Sequence, residues 1–150
     1  MPTGTTLVAF KQAFRASLLL RPALAAVQIS YSEPRVFVLD DAIWFHDAIA
    51  SDALAAMRSG GVFSVEEDYR LIVRAQSVTL ADDGQETVDL RAAGLLREIQ
   101  QELAATPQTI PDVMLAELDG WKHSPGQLTE DRSGYGSRFD ITIRVRACLT

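Results

Sequence analysis

Residues 134–150 read GYGSRFDITIRVRACLT, and they point to the fold class because apolar residues occupy every second position from Phe139 to Val145. This period of two predicts a β-strand that has one apolar and one polar face. If the apolar face covers a core, the polar side chains between these residues share the opposite face. That face carries three arginines: Arg138, Arg144 and Arg146.

A second long strand is predicted by residues 62–78, VFSVEEDYRLIVRAQSV. Apolar residues such as Phe63, Tyr69 and Val73 lie on one face and polar residues on the other, as in an antiparallel strand with one face in water. Glu67 falls on the otherwise apolar face, and we expect it to stay solvated at the frayed start of the strand. If it is buried instead, it needs a basic partner.

Two amphipathic helices are predicted, because apolar residues recur at steps of three and four in two segments. The first helix ends at about Leu20 and is capped by Thr5 or Thr6, with Pro22 preventing its continuation. The second ends near residues 106–107. Their apolar faces consist of Leu7, Phe10, Phe14 and Leu18 in the first and Val88, Ala92, Leu95, Ile99 and Leu103 in the second.

Two shorter strands are predicted between the first helix and the long strand. Residues 27–34, VQISYSEP, and residues 35–45, RVFVLDDAIWF, are rich in β-branched and aromatic residues and have a proline at the break between them. The second strand is apolar on both faces, with Phe37 and Leu39 on one of them. Such a strand is either central in a sheet or covered by another chain. On the second alternative, Phe37 and Leu39 are candidates for a subunit interface.

The remaining segments complete a single α+β domain that spans residues 1–150. Residues 51–61, SDALAAMRSGG, fit either a short helix or a loop, and a further strand is predicted from about Asp112 to Lys122. The order is then helix, two strands, a long strand, helix and two strands. This order is typical of a mainly antiparallel β-sheet with two amphipathic helices packed on one face. The length suits one hydrophobic core.

Charge and composition limit the classes of function. The net charge of −6 argues against a protein that holds nucleic acid by neutralising phosphates, because that mode of binding needs a concentrated basic surface. The apolar run from Ala16 to Ala26 is interrupted by Arg21 and Pro22, so we expect no transmembrane helix. The first residues do not have the pattern of a signal peptide, and we expect synthesis in the cytoplasm.

The sequence offers no clear catalytic or metal-binding motif, so we expect no enzyme activity and no cofactor. His46 and His123 are the two histidines, and neither has carboxylates or cysteines at the spacing of a metal site. The pair His46 and Asp47 lacks a nucleophile motif nearby. Cys148 has no neighbouring His or Lys, which predicts an inert thiol.

The arginine face has two interpretations. In the first, the three arginines are solvated on the outside of the strand. In the second, they contact acidic groups of a neighbouring subunit, since a planar guanidinium forms paired hydrogen bonds with a carboxylate. On the second interpretation, Arg138, Arg144 and Arg146 are candidates for a subunit interface.

In the order and character of its segments, the chain resembles the tail terminator, or tail completion, proteins of long-tailed bacteriophages. The resemblance covers nearly the whole chain. It includes the first helix and the region of Trp44. It is carried by VQISYSEP, FSVEEDYRLIVRA, DLRAAGLLREIQQEL, DVMLAELDGW and GYGSRFDITIRVRACL. Phage-derived particles such as gene transfer agents use the same part.

The resemblance implies a structural subunit of a virion tail. It implies a hexameric ring at the head-proximal end of the tail tube, which stops tube polymerisation and contacts a head–tail connector or neck protein. DNA then passes through the ring without specific binding. The loops ADDGQE and SPGQLTEDRSGYG are candidates for the tube or neck contact, because loops carry recognition on a rigid scaffold. Their candidate residues are Asp82, Asp83, Gln127, Glu130, Asp131 and Arg132.

Two other classes stay open at the level of sequence. One is a head–tail connector or tube-like protein of the same particle, which is distinguished by whether the pure protein forms filaments. The other is a small α+β enzyme or ligand-binding module. That alternative requires a pocket that collects Trp44, His46 and Asp47, or His123, near a reactive group.

Overall fold

A computed structural model describes residues 4–54, 65–79, 84–105, 110–126 and 134–149. The predicted order of elements is confirmed, and the fold class is α+β. The elements are helix α1 (Leu7–Leu19), a short 3-10 turn (Pro22–Leu24), strands β1 (Val27–Ser30), β2 (Asp41–Leu54) and β3 (Val65–Thr79), helix α2 (Gly84–Ala105), and strands β4 (Val113–Gly126) and β5 (Tyr135–Leu149).

The five strands form one mixed sheet in the order β1-β2-β3-β5-β4. β1 pairs parallel with β2, and every other neighbouring pair is antiparallel. The longest pairing joins β3 to β5, from Val65 opposite Leu149 to Thr79 opposite Tyr135. The two strands with the clearest alternation in the sequence are therefore neighbours at the middle of the sheet.

Both helices pack on one face of this sheet, which we call the inner face. The rings of Phe10 and Phe14 in α1 stack at 5.6 Å, and Phe14 lies 6.4 Å from the ring of Phe45 in β2. Leu95 and Ile99 of α2 belong to the same buried cluster. Burial of these apolar side chains is the main stabilising contribution to the fold.

The start of α1 agrees with the predicted cap region. Thr6 is the N-cap residue, and the hydroxyl of Thr5 accepts a hydrogen bond of 3.0 Å from the N–H of Leu7. After the helix, the guanidinium of Arg21 donates to Glu98 and Glu102 of α2, each at 2.7 Å. These two ion pairs join the end of α1 to the last turns of α2.

The prediction of a strand over residues 35–45 is wrong at its first half. β2 begins at Asp41, and because it is parallel to β1, residues 31–40 must cross over instead of turning back as a hairpin. The crossing segment is bridged by the side chain of Gln28. Its Nε2 donates to the carbonyl of Val36 at 3.1 Å, and its Oε1 accepts from the N–H of Val38 at 2.9 Å.

The structure also extends two other strands beyond their predicted limits. Ser51–Leu54, for which the sequence left helix or loop open, are the last residues of β2, while residues 55–61 lie outside the described residues. β4 continues to Gly126, four residues past the predicted end at Lys122. It contains a bulge between Leu118 and Gly120, and Gly120 has a φ of 126°, a conformation that side chains strongly disfavour.

Within the described ranges, neither helix combines the length and the apolar composition needed to cross a bilayer. α2 is the longer helix, but its buried stripe alternates with charged residues such as Arg97 and Glu98. The pattern is that of a helix lying on a sheet.

Candidate functional site

The face of the sheet opposite the helices, which we call the outer face, carries a network of alternating acidic and basic side chains. This charge ladder arises because successive residues of a strand point to opposite faces, so the polar half of each alternating strand is collected here. Its members are Glu66, Asp68, Arg70 and Arg74 of β3, Arg138, Asp140, Arg144 and Arg146 of β5, and Asp119 of β4.

The arginines near the end of β5 pair with the acidic start of β3. Arg144 binds Asp68 through two hydrogen bonds, from Nη2 at 2.8 Å and from Nε at 3.2 Å. Arg146 donates to Glu66. The hydrogen bonds from Arg144 hold the pKa of Asp68 below its ordinary value, although partial burial opposes this, and the same pair raises the pKa of Arg144.

The rest of the ladder is paired in the same way. Asp140 accepts from Arg74 at 3.2 Å and lies 3.3 Å from the Nε of Arg138, and Arg70 donates to Asp119 of β4 at 2.8 Å. The three candidate interface arginines, Arg138, Arg144 and Arg146, thus have acidic partners within their own chain. Their contact with a neighbouring subunit stays a prediction, but they do not depend on one for charge compensation.

An exposed apolar segment, residues 35–40, lies over the outer face beside β1 and β2. The exposed fractions of Val36, Phe37, Val38 and Leu39 are 67%, 42%, 72% and 42%, so exposure still alternates with a period of two. The less exposed Phe37 packs edge-on against Trp44 with ring centroids 5.4 Å apart, and it helps to leave Trp44 only 1% exposed. Phe37 and Leu39 are therefore partly covered by their own chain, and Val36 and Val38 are presented to solvent.

The opposite edge of the sheet is the outer side of β4. β4 pairs with β5 on one side, and no described strand pairs with its other side. Three large apolar side chains are exposed along this β4 edge: Met114, Leu115 and Trp121. An unpaired strand edge with exposed apolar residues is a preferred place for another chain to bind.

The expectation that Glu67 is solvated is wrong, because its side chain is only 2% exposed. Its carboxylate accepts hydrogen bonds from the N–H of Thr6 at 2.9 Å and from the Thr6 hydroxyl at 2.8 Å. The partner is the start of α1, where unpaired N–H groups and the helix dipole favour an anion, and not the basic side chain that the sequence suggested. The hydroxyl of Tyr69 lies 3.2 Å from that of Thr6 and completes the cluster.

A second polar cluster joins α2 to the inner face of β4 and β5. His123 Nε2 lies 2.8 Å from the hydroxyl oxygen of Ser137 and 3.2 Å from a carboxylate oxygen of Asp89. Burial alone raises the pKa of Asp89, but hydrogen bonds from Gln85 and Ser137 and the nearby His123 together hold it below its ordinary value. In the sequence, the only signal for this cluster is that Ser137 and His123 are polar residues on otherwise apolar faces.

The same three residue types occur in hydrolase triads, but their arrangement in this protein differs from that of a triad. In a triad the serine and the carboxylate contact different nitrogens of the imidazole, so that the histidine can transfer a proton between them. Here both lie against Nε2, and Ser137 is only 1% exposed, so its oxygen is not accessible to a substrate. The arrangement fits a packing contact between α2 and the sheet.

The other candidate reactive groups are dispersed. His46 and Asp47 are adjacent at 3.4 Å, but Asp47 is 76% exposed, and Trp44 packs against Phe37. Cys148 is a half-buried free thiol. Among the residues that the structure describes, no group of three His, Cys, Asp or Glu side chains is placed to hold a metal ion.

The residues predicted to contact the tube or neck lie outside the described ranges. They belong to the connections between β3 and α2 and between β4 and β5, and they are Asp82, Asp83, Gln127, Glu130, Asp131 and Arg132. Their role stays a prediction.

Comparison with known protein families finds no matching family, and a search of curated proteins finds no significant relative. The function is therefore inferred from the fold and from the surfaces described above.

Proposed function

We propose that this protein is a structural ring subunit that caps the head-proximal end of a phage-type tail tube. Six copies form a ring that stops tube polymerisation and joins the tail to a head–tail connector or neck protein. The protein acts in the virion through contacts between subunits and carries out no covalent chemistry.

The observation that carries this proposal is the architecture. Two helices on one face of a mainly antiparallel sheet, in the order helix, three strands, helix and two strands, match the helix-on-sheet subunit that the resemblance to tail terminators implies. A fold alone does not define a function, so the surfaces must also fit.

The distribution of exposed apolar residues fits a ring. The segment at residues 35–40 lies at the β1 and β2 side of the sheet, and the β4 edge lies at the other side, with β3 and β5 between them. Two different patches on opposite sides of one subunit favour head-to-tail contacts, which close into a ring when the rotation between copies allows it.

The charge of the subunit fits the passage of DNA. Each copy has a net charge of −6, so a ring of six carries about −36. An acidic ring repels phosphates and lets a duplex pass without sticking. The arginines of the charge ladder add no free positive surface, because each of them is paired with a carboxylate.

The test is the mass of the purified protein, alone and with the tail tube protein of the same particle. We expect a closed species of six times 16.4 kDa in light scattering or native mass spectrometry, and tubes that stop growing when it is added. Val38→Glu, which places a charge on the exposed apolar segment, should reduce assembly. Leu90→Glu, an equally exposed apolar position on α2, is the matched control and should leave assembly unchanged.

Two results would contradict the proposal. A protein that stays at 16.4 kDa with and without the tube protein, and leaves tube length unchanged, is not a terminator. Long filaments formed by the pure protein instead favour the tube-like alternative.

A further inference from the structure

The apolar segment at residues 35–40 has the sequence of a strand, but its residues 36–39 pair with no strand of the described chain. At its end, the carbonyl of Asp40 accepts a hydrogen bond of 3.0 Å from the N–H of Val78 in β3. Gln28 bonds the carbonyl of Val36 and the N–H of Val38, which fixes one side of the segment against the sheet. Among the described residues, the main-chain groups of Phe37 and Leu39 have no hydrogen-bond partner. The segment is thus held in place and still presents apolar side chains and main-chain groups outward.

The β4 edge lacks the same kind of partner. Its side chains Met114 and Trp121 are more than half exposed, and its main chain pairs only with β5 in the described structure. The bulge at Leu118 and Gly120 bends the strand and limits regular pairing along its whole length. A short segment fits such an edge better than another long strand does.

The segment at residues 35–40 and the β4 edge each carry an acidic and a basic side chain, and the two charges have the same separation along the sequence at both places. Arg35 and Asp40 bracket the apolar segment, five positions apart, and Glu117 and Lys122 bracket the middle of the β4 edge, also five positions apart. All four side chains are exposed, and none forms an ion pair with another described residue, although Glu117 lies opposite Arg144 and Lys122 opposite Asp140 on β5. A parallel alignment brings Arg35 opposite Glu117 and Asp40 opposite Lys122.

The lengths of the two stretches also agree. Glu117 and Lys122 lie opposite Arg144 and Asp140 of β5, which are four residues apart, so the two charges are separated by about 13 Å along the strand. A stretch from Arg35 to Asp40 reaches at most about 17 Å when fully extended and can therefore span this distance with slight bending.

This contact cannot form within one chain. Asp40 precedes β2, and three strand spacings separate β2 from β4, a distance of about 14 Å across the sheet. The partner must be a second copy.

We propose that residues 35–40 of one copy dock along the β4 edge of the next copy, with apolar contacts in the middle and ion pairs Arg35–Glu117 and Asp40–Lys122 at the ends. The inference rests on the proposed ring and specifies its repeating contact. Each copy binds the next copy through residues 35–40 and the previous copy through its β4 edge. The contact is therefore head-to-tail and is repeated from subunit to subunit until the ring closes.

Zero-length carbodiimide cross-linking of the native protein tests this contact. The chain has two lysines, Lys11 and Lys122, so few amine sites compete. In an equal mixture of unlabelled and ¹⁵N-labelled protein, we expect a cross-link between Asp40 and Lys122 that joins peptides of different label. Lys11, which lies over the ring of Tyr31 at 3.9 Å, is the internal control and should not link to Asp40 of another copy.

Charge reversal provides an independent measurement that does not depend on the cross-linker. Arg35→Glu and Glu117→Arg should each raise the protein concentration needed for half-maximal assembly by roughly threefold to tenfold. The double variant should return it close to the native value. Arg97→Glu, at an exposed position on α2, changes the net charge as Arg35→Glu does and should have no such effect.

These experiments distinguish a failure of the proposed contact from a failure of the proposed ring. If the native protein forms a closed ring, but the intermolecular Asp40–Lys122 link is absent and the double reversal does not recover assembly, the proposed contact is wrong and the ring stands. If neither self-association nor any intermolecular cross-link is detected, both without and with the tube protein, the contact and the proposed function are both wrong.

Discussion

Glu67 and Asp68 are neighbours on β3, yet their carboxylates are stabilised in different ways on the two faces of the sheet. Glu67 on the inner face is 2% exposed and accepts hydrogen bonds from the main chain and hydroxyl of Thr6. Asp68 on the outer face is partly exposed and is bound by the guanidinium of Arg144. The inner face therefore depends on complete satisfaction of buried groups, whereas the outer face uses solvent-screened ion pairs.

The largest loss of stability is expected when a side chain of the core on the inner face is truncated. Phe14→Ala removes a fully buried ring that contacts Phe10 and Phe45, and we expect the free energy of unfolding to fall by about 3–5 kcal/mol. Val8→Ala, at a half-exposed position on the same helix, is the control and should cost much less. Urea titration followed by circular dichroism measures both. Equal losses for the two variants would contradict the packing of α1 described here.

The buried carboxylate gives the next effect. Glu67→Ala leaves the N–H and the hydroxyl of Thr6 buried without an acceptor, and we expect a loss of about 2–4 kcal/mol in the free energy of unfolding. Glu67→Gln keeps one acceptor oxygen and should recover part of this loss. The same urea titration compares them. A Glu67→Ala variant as stable as the native protein would show that this carboxylate does not anchor α1.

Alkaline pH tests the inner face without truncating the core. Burial raises the pKa of Tyr69 from 10.0 to about 12, with the hydrogen bond to Thr6 opposing the shift and Glu67 adding to it. A raised pKa contributes stability that is present below pH 10 and is lost as the pH rises towards about 12. We expect up to about 2 kcal/mol to be lost over this range in the native protein and less in Tyr69→Phe.

The control for that measurement is Tyr135→Phe, because Tyr135 is exposed. It should follow the native protein in urea titrations at pH 8 and pH 11. If Tyr69→Phe also follows the native protein, the hydroxyl of Tyr69 ionises as freely as an exposed one.

The smallest effect is expected on the outer face. Asp68→Asn weakens the pair with Arg144, and the loss should stay under about 1 kcal/mol and shrink further as salt is added. Because the pKa of Asp68 is lowered from 3.8, its contribution is present above about pH 4 and lost as the pH falls below it. The variant should therefore lose less stability than the native protein on acidification. If Asp68→Asn lost as much unfolding free energy as Glu67→Ala, the ion pairs of the outer face would contribute as much to stability as the buried hydrogen bonds of the inner face.

Alternation and helical periodicity predicted the central features of the fold. The apolar positions of β3, β5, α1 and α2 face one core, and the order of elements follows from where these patterns begin and end. These features are local, since each pattern needs only the spacing of residues along one segment.

The incorrect predictions concern features that depend on distant partners. The alternation of residues 36–39 is the same whether they form a strand or a crossing segment, and the outcome depends on Gln28 and on the parallel pairing of β1 with β2. The burial of Glu67 depends on a helix start that is 61 positions away in the sequence. Similarly, the contact of His123 with Asp89 and Ser137 appears only when α2 lies across β4 and β5.

The position of β5 in the sheet has a consequence for synthesis. β5 follows all the other described elements in the sequence, but it inserts between β3 and β4, so a ribosome must release its residues before β4 has any neighbour. Pairing of β3 with β5 also closes a long intervening chain, which slows folding and prolongs the life of exposed strands. β4 therefore stays unpaired on both sides until β5 has been made, and the β4 edge takes its final form for another copy only when the sheet is complete.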